Sequence, residues 1–531
     1  MASKLEMYGE EKTILGHPRG LFVLFFAEMW ERFSYYGMRG LLIFYLTQHF
    51  LFERGDALGI LGAYITLVYI TPVIGGMLAD QFLGARRAVM LGATLLVIGH
   101  FGMAFEGSPV PEGGTADPFI LNIFYLSLAF IIAGVGFLKA NISTMVGELY
   151  PKTDVRRDSA YTIFYVGINM GAFLGSLIAG FLGQTYGWAW GFGAAGVGML
   201  LGLVVFVWGK NDLRGAGEPA DLAKLKTPVF AGMSPQTLIY IGTAVMVLVC
   251  WQLVRYQGTV NTLLAITGAL TFIYIILRSV ITLPKEPRNR IFAAVFLILV
   301  QVVFWSLFEQ ASSSLNLFTD EHVNRNMLGW DVPASMFQSV NAGFILLFGP
   351  VFAALWVWLG KRGMDPSAPA KFGLGIVQVG LGYLVLVWGA TTGDLTPVIF
   401  VFLIYLLHTT GELCLSPVGL SAMTRLSVPS MVGLMMGTWF LGSAGGNALS
   451  AIIAQEVAET GLKADYISGY QTMGYYAIGF GIFVFIVSPI IKRMMHLDTL
   501  KDDDVDGSLA GQSMIGEPAA AGVHTEEEKK K

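Results

Sequence analysis

Glu28, Glu31, Arg32, Tyr35, Tyr36 and Arg39 lie close together in an otherwise apolar run. Their types suit two chemistries, carrying a proton and holding a charged solute. Projected at about 100° per residue they fall within an arc of roughly 140° on one helix. Phe25, Phe26, Trp30 and Leu41 take the other side. The run, from about Leu21 to Thr47, is long enough to cross a hydrocarbon core of ~30 Å. An ionisable side chain at that depth costs roughly 2.5–3.5 kcal/mol on insertion scales unless it is paired or faces water. The charges sit in mid-span, where side chains snorkelling from a helix end would not, so they mark a polar pathway.

More polar groups recur in later apolar runs. Lys139 sits in Gly136-Phe137-Leu138-Lys139-Ala140-Asn141, either as a buried cation or as a lysine snorkelling to an interface. Asn169 lies among Gly167, Gly171 and Gly175, a spacing that lets helices pack closely. It is either a polar ligand or an interhelical hydrogen-bond former. Glu309 ends the run Phe304-Trp305-Ser306-Leu307-Phe308, and Glu412 lies in Gly411-Glu412-Leu413-Cys414-Leu415-Ser416-Pro417. Asn341, Trp439 and Ser443 are further candidates, each with helix packing as the alternative. The cations Arg32, Arg39 and Lys139 thus come from the first half of the chain, and Glu309 and Glu412 from the second. Left alone each is costly, so pairs between the halves are expected when a cavity closes. Cations on one wall and carboxylates on the other suit a zwitterion with separated charges, the geometry of any di- or tripeptide.

The elements that position these groups follow from composition. Of 531 residues, 54% are hydrophobic and only 13% charged, with mean hydropathy +0.63; soluble domains carry about a quarter charged residues. Fourteen apolar spans are predicted: 21–47, 57–80, 86–105, 118–145, 159–184, 188–208, 235–255, 259–280, 289–311, 334–360, 371–390, 396–425, 431–455 and 466–492. Arg86, Arg87, Lys152, Arg156, Arg157, Lys210, Arg214, Lys224, Lys226, Lys285, Arg288, Arg290, Lys361, Arg362 and Lys371 all fall on one side of them. The loops 106–117, 185–187 and 391–395 have no Lys or Arg. The positive-inside rule makes the basic side and both termini cytoplasmic. The chain divides into a terminal segment 1–20, a six-helix bundle 21–208, a linker with a two-helix insertion 209–284, a second six-helix bundle 285–495, and a polar tail 496–531 expected to be disordered. Cys250 and Cys414 lie in apolar spans, so neither disulfide nor metal site is implied. No phosphate-binding loop or nucleophile elbow appears, which argues against ATP coupling and against an enzyme. Nucleic acid is not an expected partner, the lipid bilayer is, and the oligomeric state stays open.

Three strings carry a family resemblance. Glu28-x-x-Glu31-Arg32-Phe33 on the first span, Phe164-Tyr165-x-x-Ile168-Asn169-x-Gly171 on the fifth, and the Glu412 string on the tenth resemble the proton-dependent oligopeptide transporter family. Gly75-Gly76-Met77-Leu78-Ala79-Asp80 with Leu83-Gly84-Ala85-Arg86-Arg87 is similar to a signature of the wider major facilitator superfamily. There Asp80 is expected to pair with Arg86 or Arg87. Ala140 stands where the family usually has proline, and Leu406 and His408 replace more typical aromatics. The resemblance implies two six-helix bundles plus two inserted helices, of bacterial type, in the inner membrane. It implies a symporter that imports di- and tripeptides, with the proton as coupling ion and no cofactor. No histidine falls in the second span, so coupling rests on Glu28, Glu31, Glu309 and Glu412 with Arg32. By the same resemblance the peptide carboxylate meets Arg39, Lys139 and Tyr36 near Arg32, and its amino end meets Asn169, Asn341 and Glu412. Tyr35, Tyr69 and Trp439 line side-chain pockets. Arg39–Glu309 is the implied extracellular gate and Lys139–Glu412 the cytoplasmic one. Other solutes, nitrate or an organic anion, and a non-transporting receptor are the alternatives.

Overall fold

The computed structural model describes residues 13–497 except 112, 152, 153, 155, 220, 429 and 430. Residues 1–12, Lys152 and the tail from 498 onward therefore lie outside the described residues. The first half contributes α1 Arg19–Phe44, α2 Arg54–Leu78, α3 Ala85–Met103, α4 Pro118–Glu148, α5 Arg156–Tyr186 and α6 Trp188–Trp208. α7 Pro235–Arg255 and α8 Gln257–Thr282 follow. The second half contributes α9 Lys285–Phe308, α10 Ser339–Lys361, α11 Ala368–Ala390, α12 Ile399–Leu426, α13 Val432–Val457 and α14 Lys463–Met494. Among the described residues, eleven helices are long and apolar enough, on length and composition, to cross a membrane. α1 is not among them, because its ionisable face interrupts the hydropathy.

Local chemistry sets several ends. Asp117 caps α4 by accepting from the Phe119 amide at 2.9 Å, and Pro118 fills the first helical position, where its missing N–H costs nothing. Ser234 and Pro235 start α7 in the same way, the Ser234 hydroxyl accepting from the Thr237 amide at 3.3 Å.

In the first bundle α1 packs on α5 and α6, α3 on α4 and α6, and α2 on α4. In the second, α11 packs on α14 and α12, α9 on α13, and α10 on α12. The bundles meet where α2 crosses α13 and where α5 crosses α10. Gly62 touches Ala451 so closely at the first crossing that a Cβ would collide with it. On α5, Gly171 and Gly175 lie against the Met29 and Phe33 carbonyls, where no side chain fits. That contact fixes the rotation of α1 and hence the direction of its charged face. α7 lies on α4 and α2, while α8 lies over α13, α2 and α9.

Two sequence expectations need correction. Arg86 and Arg87 do not pair with Asp80. Arg86 donates to the Glu218 carboxylate at 2.5 Å and its amide to the Gly217 carbonyl at 2.9 Å, while Arg87 donates to Gln236 at 3.2 Å. Asp80 sits exposed in the π-helical turn Ala79–Leu83, so it stays solvated while the linker carboxylate reaches the guanidinium. The signature arginines thus pin the connection between the bundles to the first bundle.

The span expected over 289–311 is also not one helix. α9 ends at Phe308, a 3₁₀ turn runs over Glu309–Ser312, and Ser313 (φ −122°, ψ −104°) breaks the chain before a second helix, Ser314–His322. The serines explain the break. Ser312 and Ser313 hydroxyls donate to the Glu309 carbonyl at 3.2 and 3.4 Å, offering that carbonyl an alternative to the helical ladder.

Candidate functional site

The charged face of α1 builds two assemblies. Arg32 Nε donates to Glu28 Oε1 at 2.7 Å and lies 2.9 Å from Glu31 Oε2. The N–H is aimed at Glu28, so the wholly buried Glu31 has neither oxygen hydrogen-bonded among the described residues. One guanidinium therefore faces two carboxylates, and a single proton brings the trio to neutrality. Two turns on, Arg39 crosses to the second bundle. It forms an ion pair with Glu309, and its Nη2 donates to Ser312 Oγ at 2.8 Å. These side chains are only 6% and 7% exposed. The helix break of α9 places Glu309 there: it sets the carboxylate and Ser312 side by side at the end of the first helical piece.

The Arg39–Glu309 pair is one layer of a closed face. Beyond it Gln184 accepts from Ser335 Oγ at 2.7 Å, and Asn316 Nδ2 donates to the Gly40 carbonyl at 3.1 Å. Farther out, Arg54 of α2 forks onto Glu321 at 2.7 and 3.1 Å, and Gln48 donates to Asp320 at 3.0 Å. Gln455 completes the layer by donating to the Gly55 carbonyl at 2.7 Å. Arg54 and Glu321 are absent from the sequence-derived candidates. Each is an ordinary charge at the end of an apolar run, and no local pattern joins residues so far apart.

Toward the basic face the bundles keep their charges to themselves. Lys139 does not pair with Glu412 in this conformation, contrary to the expected cytoplasmic gate. Its Nζ stands 4.2 Å from the centre of the Tyr69 ring, a cation–π contact, and it shares the field of Arg32, Glu31 and Glu28. Glu412 accepts from Asn341 Nδ2 at 3.0 Å, and the same amide donates to Thr409 Oγ1 at 3.0 Å. The physical reason is closure at the other face, which leaves the two halves of this pair on separate walls.

The remaining candidates divide. Tyr36, Tyr69, Asn341 and Glu412 are half-buried. Tyr35 is buried with its hydroxyl unpartnered among the described residues. Asn169 donates to the Tyr165 carbonyl of its own helix at 3.1 Å. Trp439 is 3% exposed, seated over Gly419 and edge-on to Phe372. It packs the second bundle here, contrary to the expected pocket lining. Ser443 donates to the Trp439 carbonyl at 3.4 Å, satisfied within its own helix.

Two six-helix bundles that turn opposite charges toward one another, closed at one face and unpaired toward the other, define a membrane transporter of the major facilitator class. The profile of the POT family matches residues 86–472, and the chain belongs to that family. It is 39% identical over 500 residues to the uncharacterized transporter YclF of Bacillus subtilis, covering 91% of this chain and 96% of that one. It is 32% identical over 498 residues to the dipeptide and tripeptide permease B of Photorhabdus luminescens, covering 91% and 98%. Among solved structures it is similar to a mutant peptide transporter POT in complex with alafosfalin, with TM-score 0.79 and 35% identity over 93% of this chain and 100% of that one.

Proposed function

We propose that the protein is a proton-coupled symporter that imports di- and tripeptides by alternating access, with its basic face and both termini in the cytoplasm of a bacterial cell. The carrying observation is the division of charge. Arg32, Arg39 and Lys139 belong to the first bundle, while Glu309 and Glu412 belong to the second, and of these five Arg39 and Glu309 are paired across the seam. A zwitterion held toward the basic face meets Lys139 on one wall and the Glu412 carboxylate on the other. In this reading the peptide carboxylate is held by Arg39, Lys139 and Tyr36, and its amino end by Glu412, Asn341 and Asn169. Tyr35 and Tyr69 border the side chains. Relatives named for peptide transport and a similar structure with alafosfalin bound support the substrate class.

The proton enters through carboxylates. Glu28 and Glu31 share Arg32, so one proton is exchanged there as the trio's charge changes; Glu309 takes another role by releasing Arg39 when it is neutral. A membrane potential of about 100 mV contributes ~2.3 kcal/mol per charge, and a pH unit about 1.4 kcal/mol. One proton per peptide thus supports accumulation on the order of several hundred-fold. The test uses purified protein in liposomes. Counterflow of a labelled dipeptide should be inhibited by dipeptides with free ends and far less by the N-acetylated or amidated forms. An imposed inward proton gradient should drive net uptake. Equal inhibition by all three forms would sink the zwitterion reading, and a gradient without effect would sink the coupling.

A further inference from the structure

Beside the Glu309 gate lies a small space between α2, the α9 break and α13. Its volume is about 10 Å³, at the bound that admits a single water. α2 contributes only apolar wall, including Gly62. The polar wall consists of Glu309, Ser312 and Ser313 from the break and Asn447 and Ser450 from α13. The tight contact of Gly62 with Ala451 closes it beside the α2–α13 crossing.

Asn447 is the informative residue. It is 4% exposed, and its Nδ2 donates to the Ser443 carbonyl at 2.9 Å. Its Oδ1 is buried and has no donor among the described residues. A buried amide oxygen left in that condition costs about 1–3 kcal/mol. Ser450 accepts from Gln310 Nε2, at its hydroxyl at 3.1 Å and at its carbonyl at 2.9 Å, which leaves its hydroxyl proton as one donor on this wall. Ser312 and Ser313 spend their protons on the Glu309 carbonyl, which leaves hydroxyl oxygens as acceptors. The space is therefore rich in acceptors and short of donors, the condition a water molecule relieves, since it brings two protons and needs two to four partners.

We propose that this space binds one water, fixed by Asn447, which joins α13 to the α9 break and so holds Glu309 in the place from which it couples proton to peptide. The inference rests on the reading that Glu309 takes part in proton coupling. Arg39 holds the Glu309 carboxylate from the first bundle, while the water ties the break that carries Glu309 to α13, so Glu309 keeps its place when the ion pair parts. Asn447 then acts as a positioning residue: it touches neither peptide nor Arg39, and it works through the water it holds.

Asn447→Leu, which fills the space and removes the amide, and Asn447→Ala, which leaves room for a further water, separate this role from packing. In liposomes Asn447→Leu should lower gradient-driven dipeptide uptake about ten-fold while counterflow stays within about two-fold of the parent, as loss of a buried water bridge demands. Asn447→Ala should keep driven uptake within about three-fold. Ser313→Ala probes the opposite wall should the leucine variant fail to fold, and the same split between driven uptake and counterflow is expected. Equal behaviour of the leucine and alanine variants, or driven uptake and counterflow falling together, overturns the proposal. A parent protein with counterflow but no response to a proton gradient would instead overturn the coupling itself.

Discussion

The two halves of the seam between the bundles solve the same problem in different ways. At the closed face, charges are satisfied across the seam: Arg39 with Glu309, Arg54 with Glu321. Toward the basic face each bundle satisfies its own. Lys139 rests on Tyr69, and Glu412 takes a hydrogen bond from Asn341. A buried ion that loses its partner costs several kcal/mol, so a transporter built only from cross-bundle pairs would be trapped once a face closed. The in-bundle partners at the basic half lower the cost of standing apart. They are weaker than an ion pair, since a neutral amide and an aromatic ring replace full charges, and so they hold the charge without competing strongly with a peptide.

That contrast is broken most severely at Arg39. Arg39→Ala leaves Glu309 buried without its cation, a loss of about 3–5 kcal/mol for the closed face. With Cys250 and Cys414 replaced by alanine, a cysteine placed at Ser335 should then react at least about a hundred-fold faster with a hydrophilic reagent added from that side. An unchanged rate would mean that the outer layer alone keeps the face shut.

The pairing at the basic half comes next. Lys139→Ala alone should abolish uptake. The exchange Lys139→Glu with Glu412→Lys restores the attraction between the walls but inverts the field felt by a peptide's two ends. Closure, read from the reactivity of a cysteine at Ser416, should recover in the exchange while uptake does not. Closure no better than in either single variant would show that the two residues never meet.

A smaller effect belongs to Arg54. Its pair with Glu321 has side chains 30% and 26% exposed, so water and salt screen it to about 1 kcal/mol or less. Arg54→Ala should raise the Ser335-cysteine rate by about five-fold or less, and high salt should mimic it in the parent. A loss as large as that at Arg39 would make the two layers equal and remove the distinction.

The smallest lies outside the membrane, where the contact at the start of α1 is within the first bundle alone. His17 shares a hydrogen bond of 2.8 Å with the Tyr150 hydroxyl. Burial, and then the positive charge of Arg156, push its imidazole below the ordinary histidine value of 6.5. The docked form therefore binds a proton less readily than the undocked one. The contact is at full strength above that ordinary value and weakens as the pH falls through it. Protection of the amides of residues 13–17, taken as exchange relative to its intrinsic rate at each pH, should fall by about two-fold between pH 7.5 and pH 5. His17→Gln should remove the dependence; if it persists, another group is responsible.

Which parts of this were legible follows from how locally they are encoded. The bounds of α6 and α7 are those the hydropathy predicts, because each is an uninterrupted apolar run with a turn at both ends. The charged face of α1 is readable for the same reason: helical periodicity is local. The break after Phe308 is not, since Glu309 to Ala311 still reads as the end of a span, and only the hydroxyls' bonds to the Glu309 carbonyl reveal the choice. Arg86 with Glu218 and Arg54 with Glu321 are likewise invisible, because their partners are set by how distant segments fold back. Lys139 with Glu412 shows a further limit. Opposite charges on two walls indicate that a pair is possible, but which pairs are made depends on which face is shut.

The placement of α8 has a consequence for the surrounding bilayer. It lies over the crossing of α2 and α13, and Leu263, Ile266, Leu270 and Ile273 are exposed along it. Any movement that parts α2 from α13 opens a slot at hydrocarbon depth, and acyl chains would fill it. A helix lying over the slot acts as a gasket between the lipid tails and the polar interior. The rate of turnover is then tied to how easily that gasket slides through its lipid neighbours, so the stiffness and thickness of the bilayer become part of the transport cycle.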